Sequence, residues 1–140
     1  MATVSPYLLF GGNCREAFTF YHACLGGELQ LQSYADSPMA DHVPAEVRQG
    51  IMRGSLRTGS FTIMGFDAGR MDRVLTVGNN VALALICESD DEIETLFAQL
   101  GAGGTILDPL MRMGWGGKFG ALTDRFGIRW LLSYDQAPAS

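Results

Sequence analysis

Hydrophobic positions along this chain run through the same cycle twice. Ser5 to Phe10 is a short apolar run closed by Gly11-Gly12, and it predicts a strand entering a sheet. Asn13 with Glu16 three residues on has the spacing of a capping box. Behind it Cys14, Ala17, Phe18, Tyr21 and Leu25 make one apolar stripe of a helix, ended by Gly26-Gly27. Glu28 to Tyr34 alternates as a strand does. Ile51 to Arg57 and Ser60 to Phe66 flank Thr58-Gly59 as a hairpin.

The second cycle begins at Asn79 to Cys87, a strand. Ser89 and Glu92 repeat the capping-box spacing, and Ile93, Leu96, Phe97 and Leu100 form the second helical stripe. Gly101 to Gly104 stops that helix, and Thr105 to Leu107 restarts a strand. Lys118 to Thr123 and Ile128 to Tyr134 predict a closing hairpin around Asp124 to Gly127.

The order is βαβββ, a connector and βαβββ again, an α+β fold. Residues 5–67 form the first module, 68–78 the connector and 79–135 the second, all within one domain of 140 residues. A module of about 60 residues is marginal alone. Side by side in one chain, or exchanged between two, the modules would form a cupped mixed sheet around a cleft, with helices on the outer face. Residues 35–50, with two prolines, three acidic groups and His42, predict a surface flap with one helical turn near Pro44 to Arg48.

Composition narrows the function. The net charge is −5 and Lys118 is the only lysine, so no cationic patch for phosphates forms and nucleic acid is not an expected partner. No apolar run approaches the ~20 residues that span a bilayer, and the N-terminus lacks a basic leader, so no membrane association is expected. Cys14, Cys24 and Cys87 are odd in number with no CxxC spacing, which fits reduced thiols and a cytoplasmic location.

His22 and His42 do not share one helical face, so no HExxH-type metal site is present. Gly117-Lys118 is followed by Phe119, which excludes a phosphate-binding P-loop, and no glycine-rich turn opens a helix for a dinucleotide. What remains is Leu110 to Trp130, where Trp115 and Phe119 flank Gly116-Gly117 and Lys118 and Arg125 lie nearby. Four methionines, Met52, Met64, Met111 and Met113, suit a pocket for varied apolar ligands.

The segments SPYLLFGGNCREAFTFYHACLGGEL, IMRGSLRTGSFTIMGFD, GNNVALALICESDDEIETLFAQLGAGGTI and WGGKFGALTDRFGIRW resemble the PhnB-like family. That family, also labelled 3-demethylubiquinone 3-methyltransferase-like, lies in the vicinal oxygen chelate (glyoxalase/bleomycin-resistance/dioxygenase) superfamily. The resemblance covers nearly the whole chain. It implies paired βαβββ modules, a cleft and a homodimer, but no single activity.

Metal enzymes of the superfamily place His or Glu on the opening strand of each module and on the last strand. The matching positions here are about Pro6, Asn80 and Leu131, none a strong ligand, and Arg53 stands where many PhnB-like chains have histidine. No cofactor and no metal are therefore expected, and these residues give the methyltransferase label no support. The expectation is a binding protein for a small, partly apolar molecule, contacted by Trp115, Phe119, Arg125, Arg53, Met64 and Phe10. Two alternatives stand beside it. One is a metal-dependent lyase, isomerase or dioxygenase recruiting Asp67, Glu28 or His42, and the other is a dimeric module working through its acidic flap.

Overall fold

Where an apolar stripe of helical period meets a sheet whose residues alternate, the parity of each strand decides which side chains the helix covers. The computed structural model describes residues 2–68, 75–114 and 116–135, and both units of the chain follow this rule. The division between the units falls after Thr76, inside the expected connector.

The first unit runs β1 (Tyr7–Phe10), α1 (Cys14–Leu25), β2 (Glu28–Ser33), two short 3-10 turns (Ala40–His42 and Ala45–Val47), β3 (Ile51–Arg57) and β4 (Thr62–Asp67). Its sheet has the order β1-β4-β3-β2, with β1 parallel to β4 and the other pairs antiparallel. The stripe of α1 buries Cys14, Ala17, Phe18 and Tyr21 completely, against Leu56 and Ile63 of the sheet. Gly65 makes the close approach possible: a Cβ there would stand 2.7 Å from the Leu8 carbonyl oxygen and 3.0 Å from the Phe18 ring. Gly26, at φ 73°, ends the helix by donating its N–H to the His22 carbonyl, as the glycine pair predicts.

The second unit repeats the topology: β5 (Leu83–Cys87), α2 (Asp90–Gly101), β6 (Thr105–Arg112), β7 (Lys118–Thr123) and β8 (Arg129–Tyr134), in the order β5-β8-β7-β6. Ile93, Phe97 and Leu100 of α2 cover Leu122 and Leu132. Gly120 is the close-approach point here, since its Cβ would meet Phe97 at 2.7 Å. The sequence pattern ends the β6 strand at Leu107, whereas the strand continues to Arg112. Pro109 is accommodated by register shifts on both sides of Asp108, which remove the ladder bonds a proline could not make.

The two helices start differently. Ser89 caps α2 as predicted, accepting from the Glu92 N–H at 3.1 Å while the Glu92 carboxylate accepts from the Glu88 N–H at 2.8 Å. Asn13 makes no side-chain cap bond. The capping is supplied from β4: Asp67 Oδ1 accepts from the N–H groups of Gly12 at 2.9 Å and Cys14 at 3.0 Å. Its Oδ2 accepts from Ile51 N–H at 2.8 Å, and the Tyr34 hydroxyl donates to the Asp67 carbonyl. A carboxylate from 55 residues away therefore replaces the local cap.

Asp67→Ala is expected to lower the unfolding free energy by about 3 kcal/mol, since two buried donors and one part-buried donor lose their acceptor, with Asp67→Asn intermediate. Ser89→Ala should cost about 1 kcal/mol and Asn13→Ala only a few tenths. Urea unfolding of the four variants checks the order.

Candidate functional site

Each helix covers one face of its sheet and leaves the other parity open. In the first unit, strand pairing places Tyr7 beside Met64, Met64 beside Ser55, and Ser55 beside Gln30. One step along, Leu9 lies beside Phe66 and Gln32 beside Arg53. Arg53 and Phe66 are each next along from the Gly54–Gly65 pair, so the guanidinium belongs to the same face as the ring. Tyr7 is 49% and Leu9 40% exposed, and the Tyr7 and Phe66 rings meet at 5.6 Å with their planes tilted by 59°. An apolar end and a polar end therefore share one surface.

The corresponding face of the second unit carries Ala84 and Ile86 of β5, Leu131 and Ser133 of β8, Phe119 and Ala121 of β7 and Met111 of β6. Ile86 and Met111 are largely exposed. Phe119 is paired with Met111 on one side and Ser133 on the other.

Of the expected ligand contacts, Arg53 and Met64 stand together on the first open face, and Phe119 stands on the second. Phe10 does not join them. It has the opposite parity in β1, lies edge-on to Phe18 and is 2% exposed, so it is a core residue out of reach of a ligand on the open face. Arg125 does not join Phe119 either. It sits on the turn after β7, with Nε donating to the Ala102 carbonyl at 3.1 Å. Phe119 and Thr123, the last strand residue before that turn, are already about 13 Å apart at roughly 3.3 Å per residue. Trp115 lies outside the described residues.

Tyr7, Leu9 and Phe66 are face residues that the sequence reading left out. The sequence TIMGFD has apolar residues on both parities, and the structure separates the buried Ile63, Gly65 and Asp67 from the partly covered Thr62, Met64 and Phe66. Carrying that parity across to β1 selects Tyr7 and Leu9 and rejects Phe10.

Lys118 is not part of the open surface. It pairs with Glu94 and, at 3.8 Å, with Asp90, whose other oxygen holds Arg112 at 3.1 Å. Arg112 also donates to the Gly116 carbonyl. These ion pairs fasten the start of α2 to the β6–β7 turn.

A cavity of about 310 Å³ lies beside the start of α1, lined by Gly11, Gly12, Glu46, Val47, Gly50 and Asp67 among others. The Asp67 oxygens in it already accept three N–H groups. Asp67 is thus committed to holding backbone. Among the described residues no three His, Cys, Asp or Glu side chains gather where they could share a metal ion. The positions that the resemblance matches to the metal enzymes' ligands are about Pro6, Asn80 and Leu131, none a strong ligand, and Arg53 stands where many PhnB-like chains carry histidine. The residues present do not fit that metal.

Comparison with known proteins agrees with this topology. The family model described as Glyoxalase/Bleomycin resistance protein/Dioxygenase superfamily matches residues 3–132. The chain belongs to that superfamily. Within it, the chain is 30% identical over 139 residues to Protein YjdN of Escherichia coli (strain K12), covering 93% of each. It is 37% identical to protein PA1353 from Pseudomonas aeruginosa, with a TM-score of 0.87 and 97% and 99% of the two chains covered. A PhnB protein from Bacillus cereus shares the fold at 24% identity and a TM-score of 0.75, over 95% and 99% of the chains. The superfamily that the sequence resemblance implies is thereby shown, and the Bacillus cereus match adds the fold. Among the described residues no helix is long and apolar enough to cross a membrane.

The superfamily fold also explains the thiols. Burial pushes the Cys14 thiol up to about 12, with the Asp67 charge adding and Arg15 opposing. Burial and then Glu92 push Cys87 up to about 11. A raised folded-state value favours the neutral thiol, so its stabilising contribution is complete below the ordinary 9.0 and is lost as pH rises through about 11–12. The urea midpoint is expected to fall more steeply between pH 8 and pH 10.5 in the wild type than in Cys14→Ala. At pH 8 a thiol reagent should modify the half-buried Cys24 well before Cys14 or Cys87.

Proposed function

We propose that this chain binds a small, partly apolar molecule on its open sheet faces, without a metal or other cofactor. The observation that carries the reading is the contiguous surface of Tyr7, Leu9, Met64 and Phe66, which the helix of the same unit leaves uncovered. Large apolar side chains brought together on a folded surface mark a binding face more often than a solvated one. Phe119 and Met111 supply a comparable surface in the second unit, and Trp115 lies between them in the sequence. Two aromatic contacts contribute about 1–3 kcal/mol beyond area burial.

The same reading includes a homodimer in the cytoplasm. The PhnB-like resemblance supports a second copy, and none of the three cysteines is in a disulfide. Superfamily membership supports ligand binding as a class and names no reaction for this chain.

Tryptophan fluorescence titrated with a library of small apolar metabolites tests the binding. Phe66→Ala and Phe119→Ala are each expected to weaken a saturable response by about tenfold, and Trp115→Ala to remove most of its amplitude. Responses unaltered in all three variants would sink the assignment. Protein purified without chelator should contain no stoichiometric transition metal after dialysis, and retention of one would overturn the metal-free reading.

A further inference from the structure

We infer that the molecule bound on the first open face is an oxyanion, a carboxylate or its like, on a flat apolar body, and that Arg53 selects the charge. The inference rests on the proposed binding reading and adds a chemical class to it. Arg53 is exposed on β3, two residues from Ser55, the partner of Met64, and it and Phe66 each adjoin the Gly54–Gly65 pair. Among the described residues no carboxylate lies within ion-pair distance of its guanidinium.

On β2 the one carboxylate, Glu28, stands across from Arg57 rather than Arg53. Glu28, two levels away on β2, accepts from the Gln30 amide, and the Asp36 carboxylate engages the Ser33 hydroxyl. Gln32, directly across from Arg53, directs its amide N–H to the Asp36 carbonyl at 3.2 Å. Among the described residues, Arg53 is thus a guanidinium without a counter-charge beside an aromatic surface, in a chain whose net charge is −5.

Its chemistry fits one kind of partner. The planar fork of arginine donates two parallel hydrogen bonds to a carboxylate-type oxyanion, and the neighbouring apolar surface lowers the dielectric in which they act. Tyr7, Leu9, Met64 and Phe66 then hold the body of the ligand. A neutral apolar molecule would use only that half of the face. A cation would meet the guanidinium.

Two fluorescent probes with one ring system separate these terms: 1-anilinonaphthalene-8-sulfonate, an oxyanion, and N-phenyl-1-naphthylamine, its uncharged counterpart. The wild type is expected to bind the sulfonate about tenfold tighter than the amine, although its overall charge repels anions. Arg53→Gln should abolish that preference and leave the amine's affinity unchanged. Arg57→Gln, on the same face, should change neither. Phe66→Ala should weaken both probes, with urea midpoints confirming that each variant is folded.

The failures are distinct. Equal affinity for both probes in the wild type, or a preference that survives Arg53→Gln, overturns the oxyanion inference and spares the binding surface. Equal losses in Arg53→Gln and Arg57→Gln overturn the role of Arg53 in favour of diffuse charge. Failure of both probes to bind, or binding that Phe66→Ala leaves unchanged, overturns the surface and the inference together.

Discussion

One buried carboxylate organises the first unit. Asp67 ends β4 at the place where the β1–α1 turn, the start of β3 and the Tyr34 side chain converge. Each would otherwise bury a polar group with no partner, at a cost comparable to a sizeable share of a small unit's stability. Because Asp67 faces the helix, strand alternation puts Ile63 and Gly65 on that side with it. Thr62, Met64 and Phe66 fall on the other. The parity of the open face therefore follows from the capping bond.

The second unit reaches the same topology by other chemistry. Ser89 and Glu92 cap α2 locally, and the second unit's buried carboxylate, Asp124, bonds within its own hairpin. Its Oδ1 accepts from Phe126 and Ile128 and its Oδ2 from the buried Trp130 indole, so it holds the β7–β8 turn. Arg112 and Lys118 then fasten the other end of β7 to α2 through Asp90 and Glu94. What repeats between the units is the pattern of apolar positions. The polar bonds that lock each copy do not repeat, which is expected when patterning sets topology and hydrogen bonds set the particular structure.

That division also governs what could be read from the chain. Both helical stripes, the middle and closing strands and the Ser89 cap rest on local periodicity and were legible in order. The absence of an Asn13 cap was not, because Asp67 holds the Gly12 and Cys14 N–H groups on either side of Asn13 from more than 50 residues away and no local rule registers it. The extension of β6 through Pro109 was hidden by a proline rule that the register shifts evade. Phe10 was misassigned because aromatic character was weighed without parity. Arg125 was grouped with Phe119 by closeness in sequence, although a strand separates what its residues bracket.

The superfamily fold contributes a sheet with one covered and one open face, and what the open face can do depends on its donors. Where the metal enzymes' His or Glu would stand, this chain has about Pro6, Asn80 and Leu131, and Arg53 stands where many PhnB-like chains carry histidine. The replacements do not act alike. Proline and leucine remove polar function, whereas arginine exchanges a group that can bind a metal for one that binds anions and stays charged at every physiological pH. Its charge would be a poor occupant of a sheet otherwise covered, since burial without a partner costs several kcal/mol. On the open face it keeps its hydration until a ligand replaces it. The face that Asp67 leaves uncovered is thus the one place in this unit where Arg53 can be both tolerated and useful, and the bonds that shape the fold determine the chemistry left open to it.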